Sequence, residues 1–219
     1  MINHIETILD EKFKTLKLLN WLPFIGKDYF TQKNKILIIG ESHYVPKGES
    51  TECYNDINWT RHFILKEGLQ LYPWFKGETK NNLIREVEKT INNKIDNEFW
   101  NQVTFFNLIQ RLLESKEKNN RPTYEDIKNG LYFFKSIVDF LNPDTIVFCG
   151  LEASKHFVNL LNDNEFKIEE LNFPKEKINN SYPKSFQVIY NGKKCSCFFI
   201  KHPSSFYSSE LWREFIFKK

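Results

Sequence analysis

Apolar residues follow two rhythms along this chain. One is the short unbroken run: Lys35-Ile-Leu-Ile-Ile-Gly40, Val103-Thr-Phe-Phe-Asn107 and Thr145-Ile-Val-Phe-Cys-Gly150. Runs of this length, closed by Gly or a polar residue, predict strands buried on both faces, as at the centre of a parallel sheet. The other rhythm is helical. Ile5, Leu9, Phe13 and Leu16 predict an amphipathic helix from about Ile5 to Leu19, ending before Pro23. Leu83, Val87 and Ile91, flanked by Ile84 and Ile95, predict a second. Thr123 with Asp126 offers a capping-box start to a third, running through Leu131, Phe134, Val138 and Leu141. A fourth is expected from about Glu152 to Leu161, and a closing helix, N-capped by Ser208, carries Leu211, Trp212 and Phe215.

Between these elements the pattern breaks down informatively. Glu41 to Gly77 is polar and aromatic, and reads as a long functional loop with a short helix near Trp59 to Glu67. Asn162 to Lys184 is charged and Asn-rich, and reads as a surface excursion. Asn191-Gly192, set between Phe186–Tyr190 and Lys194–Ile200, is the strongest hairpin signal. Strands alternating with helices predict one α/β domain over residues 1–219. The expected form is a three-layer α/β/α arrangement around a central, mainly parallel four-stranded sheet plus a hairpin strand. Parallel sheets bind ligands where loops leave the carboxyl ends of their strands. That rule brings three distant polar turns to one rim: Gly40-Glu-Ser-His-Tyr44, Asn107 and His202-Pro-Ser204.

Composition adds limits. With 219 residues, 41% of them hydrophobic, the chain has enough apolar material for a single core. Its 31 basic and 28 acidic side chains leave a net charge of +3, which permits contact with a phosphate backbone without requiring it. Cys53, Cys149, Cys195 and Cys197 form no C-x-x-C pair and read as reduced, mostly buried thiols rather than a zinc site. No metal or organic cofactor is expected. Met1 to Trp21 is interrupted by Glu6, Asp10, Glu11 and several lysines, so it has no signal-peptide core, and no stretch has membrane-spanning length. A cytoplasmic monomer without membrane attachment is the expectation.

Four blocks, taken in order, carry a family resemblance: Ile38-Ile-Gly-Glu-Ser-His-Tyr44, Phe105-Phe-Asn107, Pro143-Asp-Thr-Ile-Val-Phe-Cys-Gly150 and Phe199-Ile-Lys-His-Pro-Ser-Ser205. In these the chain resembles the uracil-DNA glycosylase superfamily. The resemblance implies hydrolysis of the N-glycosidic bond of a damaged or deaminated base, with DNA as partner. It implies that His202 stabilises negative charge on the departing base and that Asn107 hydrogen-bonds a pyrimidine edge. Gly40, Ser42 and Tyr44 would border the pocket, Ser204 and Ser205 would lie at the phosphate, and Phe206 falls where the family places a wedge entering the base stack. The chemistry is coherent. A stacked base must be extruded before its glycosidic bond is accessible, an apolar wedge fills the gap it leaves, and one preorganised donor on a developing anion contributes roughly 3 kcal/mol.

One departure matters. Where the best-known members carry a water-activating Asp, this chain has Ser42, leaving Glu41 and His43 as candidates for that task. Plainer readings stand beside the catalytic ones: Glu41 as a cap on loop N–H groups, Ser42 as a turn residue, Asn107 as a strand-end residue, Phe206 and Tyr207 as core aromatics. The Ser42 substitution also fits a binding module that keeps the pocket without turnover. A Ser hydrolase using Ser42 and His202 is a third reading. It lacks an Asp shortly before the His, where Phe199, Ile200 and Lys201 stand, and Tyr44 breaks the G-x-S-x-G elbow.

Overall fold

The three apolar runs become neighbouring parallel strands. The computed structural model describes residues 2–45, 48–72, 80–114, 121–163, 165–203 and 206–218. Its strands are β1 (Phe24–Ile25), β2 (Ile36–Gly40), β3 (Tyr44–Val45), β4 (Thr104–Asn107), β5 (Leu113–Glu114), β6 (Thr145–Cys149), β7 (Phe166–Asn172), β8 (Lys184–Tyr190) and β9 (Lys193–Ile200). Its α-helices are α1 (Asp10–Lys14), α2 (Trp59–Phe63), α3 (Asn82–Asn92), α4 (Tyr124–Leu141), α5 (Phe157–Leu161) and α6 (Ser209–Phe217). Seven strands form one mixed sheet in the order β1-β4-β2-β6-β9-β8-β7, while β3 and β5 pair separately. Within it β4, β2, β6 and β9 run parallel to one another, and β1, β8 and β7 are antiparallel to their neighbours.

The sheet is therefore larger than four strands and a hairpin strand. The extra members are β1, too short to leave a pattern, and β7, which lies inside the segment expected to be a surface excursion. In β7 only Phe166 is fully buried, and Lys167, Glu170, Leu171 and Asn172 are exposed. Glu170 at φ 49° marks an irregularity that breaks the strand's alternation. The hairpin between β8 and β9 turns through Asn191 and Gly192, both at positive φ (49° and 76°), as a two-residue primed turn requires.

The N-terminal helix is also shorter than its spacing predicts. The Glu6 carboxylate accepts the N–H groups of Thr7 and Ile8 at 2.8 and 2.9 Å, Ile5 bridges Gly26, and Leu18 sits at φ 74°. Only Asp10–Lys14 is α-helical; the periodicity recorded the burial of Phe13, with Leu9 and Leu16 partly buried beside it. The fourth expected helix is split into a 3₁₀ turn, Glu152–Lys155, and α5. By contrast α4 begins with the expected capping box: Thr123 Oγ1 accepts from Asp126 N, and the Asp126 carboxylate accepts from Thr123 N. Ser208 caps α6 as expected, its hydroxyl accepting from Leu211 N.

Side chains alternate across the central strands, so each strand feeds two apolar clusters. Leu37, Ile39, Phe106, Ile146 and Phe148 join α4 and α5 residues such as Leu131, Phe134 and Phe157. Ile38, Phe105, Val147 and Cys149 join Ile84 and Val87 of α3, Trp100, and Trp212 of α6. One buried ion pair secures α3: Lys80 Nζ lies 2.5 Å from Glu88 Oε1 and donates to Gly68 O, and Trp100 Nε1 donates to the same carboxylate at 2.6 Å. No helix among the described residues is long and apolar enough to cross a membrane.

Candidate functional site

Because β4, β2, β6 and β9 are parallel, their last residues, Asn107, Gly40, Cys149 and Ile200, lie along one edge, with Gly40 paired to Asn107 and Cys149 to Ile200. Gly40 is required there by close approach. A Cβ at this position would overlap Asn107 Oδ1 and lie 2.8 Å from Phe105 Cζ. The loop that follows is held to β4 by Leu108 N donating to Gly40 O at 3.0 Å and Ile109 N donating to Glu41 O at 2.9 Å.

Among the described residues, hollows open along this edge. A cleft of about 420 Å³ is bordered by Glu41, Tyr44, Arg121, Gly150, Lys201 and His202. A second, about 250 Å³, is bordered by Ser42, His43, Tyr54, Trp59, Asn107 and again Tyr44 and His202. The two meet at Tyr44 and His202. A small, largely apolar hollow of about 20 Å³ is bordered by Glu41, Ile39, Ile109, Ile127 and Phe148. Glu41 and His202, 161 positions apart by subtraction of their residue numbers, thus share one cleft.

The Tyr44 phenol donates a hydrogen bond to Glu41 Oε2. Burial, and then the Glu41 carboxylate, push the Tyr44 pKa upward, so the proton stays on the phenol. Burial lowers the pKa of His202. The Glu41 charge opposes this shift and Arg121 reinforces it, so the ring is neutral at pH 7 and donates from one nitrogen. His202 also keeps an exposed surface, so water limits that shift.

His43 is turned into an aromatic enclosure. Its ring centroid lies 4.9 Å from that of Trp21 and 6.0 Å from that of Phe63, and Nε2 is 2.9 Å from Thr60 Oγ1. Burial lowers its pKa to about 4. Ser42 Oγ donates to Arg111 O at 2.5 Å. The Arg111 guanidinium grips the Asp126 carboxylate at 2.7 and 2.6 Å, which ties this loop to the α4 cap. The Ser42 hydroxyl is therefore engaged by backbone and has no hydrogen bond to an imidazole among the described residues.

Asn107 is 3% exposed, and its side-chain amide makes no hydrogen bond among the described residues. Its backbone oxygen accepts from Gln110 Nε2 at 2.6 Å. Phe206 is 89% exposed at φ 56°, an unusual conformation for a bulky residue, and Lys201 Nζ donates to its carbonyl at 3.0 Å. Tyr207 is a packing residue: its hydroxyl lies 2.9 Å from Thr90 Oγ1 and its ring stacks on Trp212. Ser204 and Ser205 lie outside the described residues.

Sequence reasoning passed over the 150–152 turn, Arg121, Lys201, and the aromatic wall of Tyr54, Trp59 and Phe63. Gly150 closes the third apolar run as Gly40 closes the first, so the strand-end rule reaches it too. No local pattern marked Arg121. Among the described residues, no group of three or more His, Cys, Asp or Glu side chains has the arrangement to hold a metal ion. No protein-family model matches this chain, and no curated protein matches its sequence.

Proposed function

We propose that this rim binds a nucleobase extruded from DNA and hydrolyses its N-glycosidic bond. The observation that carries the reading is the meeting of the Asn107 amide, which makes no hydrogen bond among the described residues, with His202 in one cleft. An amide offers a donor beside an acceptor, and a pyrimidine edge presents the complementary pair. The aromatic wall offers a face for stacking. In the reaction the C1′–N bond breaks and the base leaves with the bonding electrons, while a water oxygen bonds to C1′ and the proton it releases ends on the base by way of solvent. The neutral His202 donates to that base, and Glu41, oriented by the Tyr44 phenol, faces the positive charge developing on the sugar. Phe206 is the wedge. The three-layer description of the fold belongs to the same reading and is supported by the two apolar clusters that the central strands feed.

The test is incubation with oligonucleotides carrying uracil, hypoxanthine or xanthine, followed by alkali. Strand cleavage is expected on at least one of them, with His202→Ala slower by roughly 10²–10³-fold, the effect of deleting one donor to a developing anion. Absence of cleavage on all three defeats the catalytic reading. A second reading, binding without turnover, is favoured by a specific observation: Ser42 and Glu41 are both already hydrogen-bonded, to Arg111 O and by Tyr44. Saturable binding of the same oligonucleotides with no base released would identify it.

A further inference from the structure

The cleft shared by Glu41 and His202 also contains Arg121 and Lys201. Among the described residues neither cation has a carboxylate within ion-pair distance. Among the described residues, Lys201 Nζ donates to backbone oxygens, those of Asn179 at 3.4 Å and Phe206 at 3.0 Å. The Arg121 side chain is exposed, and its polar neighbour is the Tyr44 phenol. Two carboxylates border the same cleft and are occupied elsewhere. Glu41 accepts from Tyr44, and Glu152 accepts from Lys155 Nζ through both oxygens, at 2.8 and 2.7 Å. Two cations and two carboxylates thus border one cleft without pairing with each other among the described residues, which leaves a guanidinium fork and an ammonium available to an anion.

We infer that Arg121 and Lys201 form a phosphate site in this cleft, and that the ligand carries a phosphate on the base-bearing sugar. The anion site stands on the cations alone; the attached base rests on the function proposed above. The shared chemistry is a phosphate one sugar away from the base, whether it belongs to a DNA phosphodiester or to a free nucleotide. Lys201 has a second role, because its two backbone bonds hold the Phe206 turn beside the cleft. A phosphate bound at Lys201 would therefore also steady the position of that exposed ring.

The experiment follows the backbone amides of Gly150 and Leu151, which border the cleft, by NMR on the full ¹⁵N-labelled chain during titration with inorganic phosphate. Saturable shifts are expected, about tenfold weaker in binding for Arg121→Gln, which removes a charge-assisted hydrogen bond. Arg121 is exposed, so its removal should leave the fold intact and it is the decisive variant; Lys201→Gln should act in the same direction. Unsaturable shifts in the parent protein, or equal affinity in Arg121→Gln, overturn the site. Displacement of phosphate by deoxyuridine 5′-monophosphate assigns it to a free nucleotide. Displacement by a uracil-containing single-stranded oligonucleotide, whose log affinity against log salt becomes shallower by about 0.7 in each variant, assigns it to a phosphodiester. If phosphate binds through Arg121 and neither nucleic-acid probe displaces it, the attached-base inference and the proposed function fail while the anion site stands.

Discussion

Acidification should destabilise this protein in part through His43, and the size of that part follows from where the ring sits. The ring is 7% exposed, walled by Trp21, Tyr54, Trp59 and Phe63, with Thr60 Oγ1 as its hydrogen-bond partner. Burial lowers its pKa from 6.5 to about 4. Between those values the unfolded chain binds a proton at this position and the folded chain does not, so stability rises with pH across the window. The His43 contribution is fully present above pH 6.5 and is lost as pH falls toward 4. The interval corresponds to roughly 3 kcal/mol, at about 1.4 kcal/mol per decade. Urea unfolding at pH 7.5 and pH 4, for the parent and for His43→Gln, isolates it. Gln cannot titrate but can still bond Thr60, and every other titrating group is common to the two proteins. The parent should lose roughly 3 kcal/mol more than the variant over this range. Equal losses would show that His43 carries a proton as easily folded as unfolded, and would refute the enclosure argument.

Gly40→Ala should destabilise by about 1–3 kcal/mol in urea unfolding, because its Cβ overlaps the Asn107 amide and the Phe105 ring. The loss should shrink in an Asn107→Ala background, and an additive double mutant would remove Asn107 as the obstacle. Lys80→Met leaves the fully buried Glu88 without its cation and should cost about 3–5 kcal/mol; Lys80→Met with Glu88→Gln should recover most of it, as read from urea midpoints. Phe206→Gly should leave stability within about 1 kcal/mol of the parent, since the ring is exposed and Gly suits its positive φ. The same change should weaken oligonucleotide binding measured by fluorescence anisotropy, and unchanged binding would end the wedge assignment.

The residues that made the fold legible are those whose burial is uniform. Ile36–Gly40, Thr104–Asn107 and Thr145–Cys149 are central strands, apolar on both faces, and no alternation is needed to find them. The Thr123–Asp126 capping box and Asn191-Gly192 were legible because each performs a local task with few chemical solutions. What escaped was decided by partners distant in sequence. β7 is an edge strand with one wet face, so its polar residues outvote Phe166. The Ile5–Leu19 spacing was correct about burial and silent about the Glu6 carboxylate that interrupts the helix. In the site, Gly40, Tyr44, Asn107 and His202 were reachable because the strand-end rule needs only topology. Arg121 reaches its cleft through the tertiary placement of the α4 N-terminus, which no neighbouring residue encodes.

The preference for glycosidic over acyl-transfer chemistry rests on which charges this edge can meet. A serine hydrolase needs a hydroxyl whose proton passes to an imidazole. Here the Ser42 proton is directed at Arg111 O, and His43 bonds Thr60 on the far side of its aromatic walls. Heterolysis of a C1′–N bond creates opposite charges a few ångströms apart, a cationic sugar and an anionic base. A cleft holding a carboxylate and a neutral imidazole donor supplies a partner for each without moving a proton beforehand. Tyr44 contributes by orienting Glu41 through Oε2, while Oε1 has no hydrogen-bond partner among the described residues. In the proposed reaction that oxygen faces the water or the sugar, so Glu41→Gln, which removes the charge and keeps the shape, should abolish turnover while leaving base binding in place.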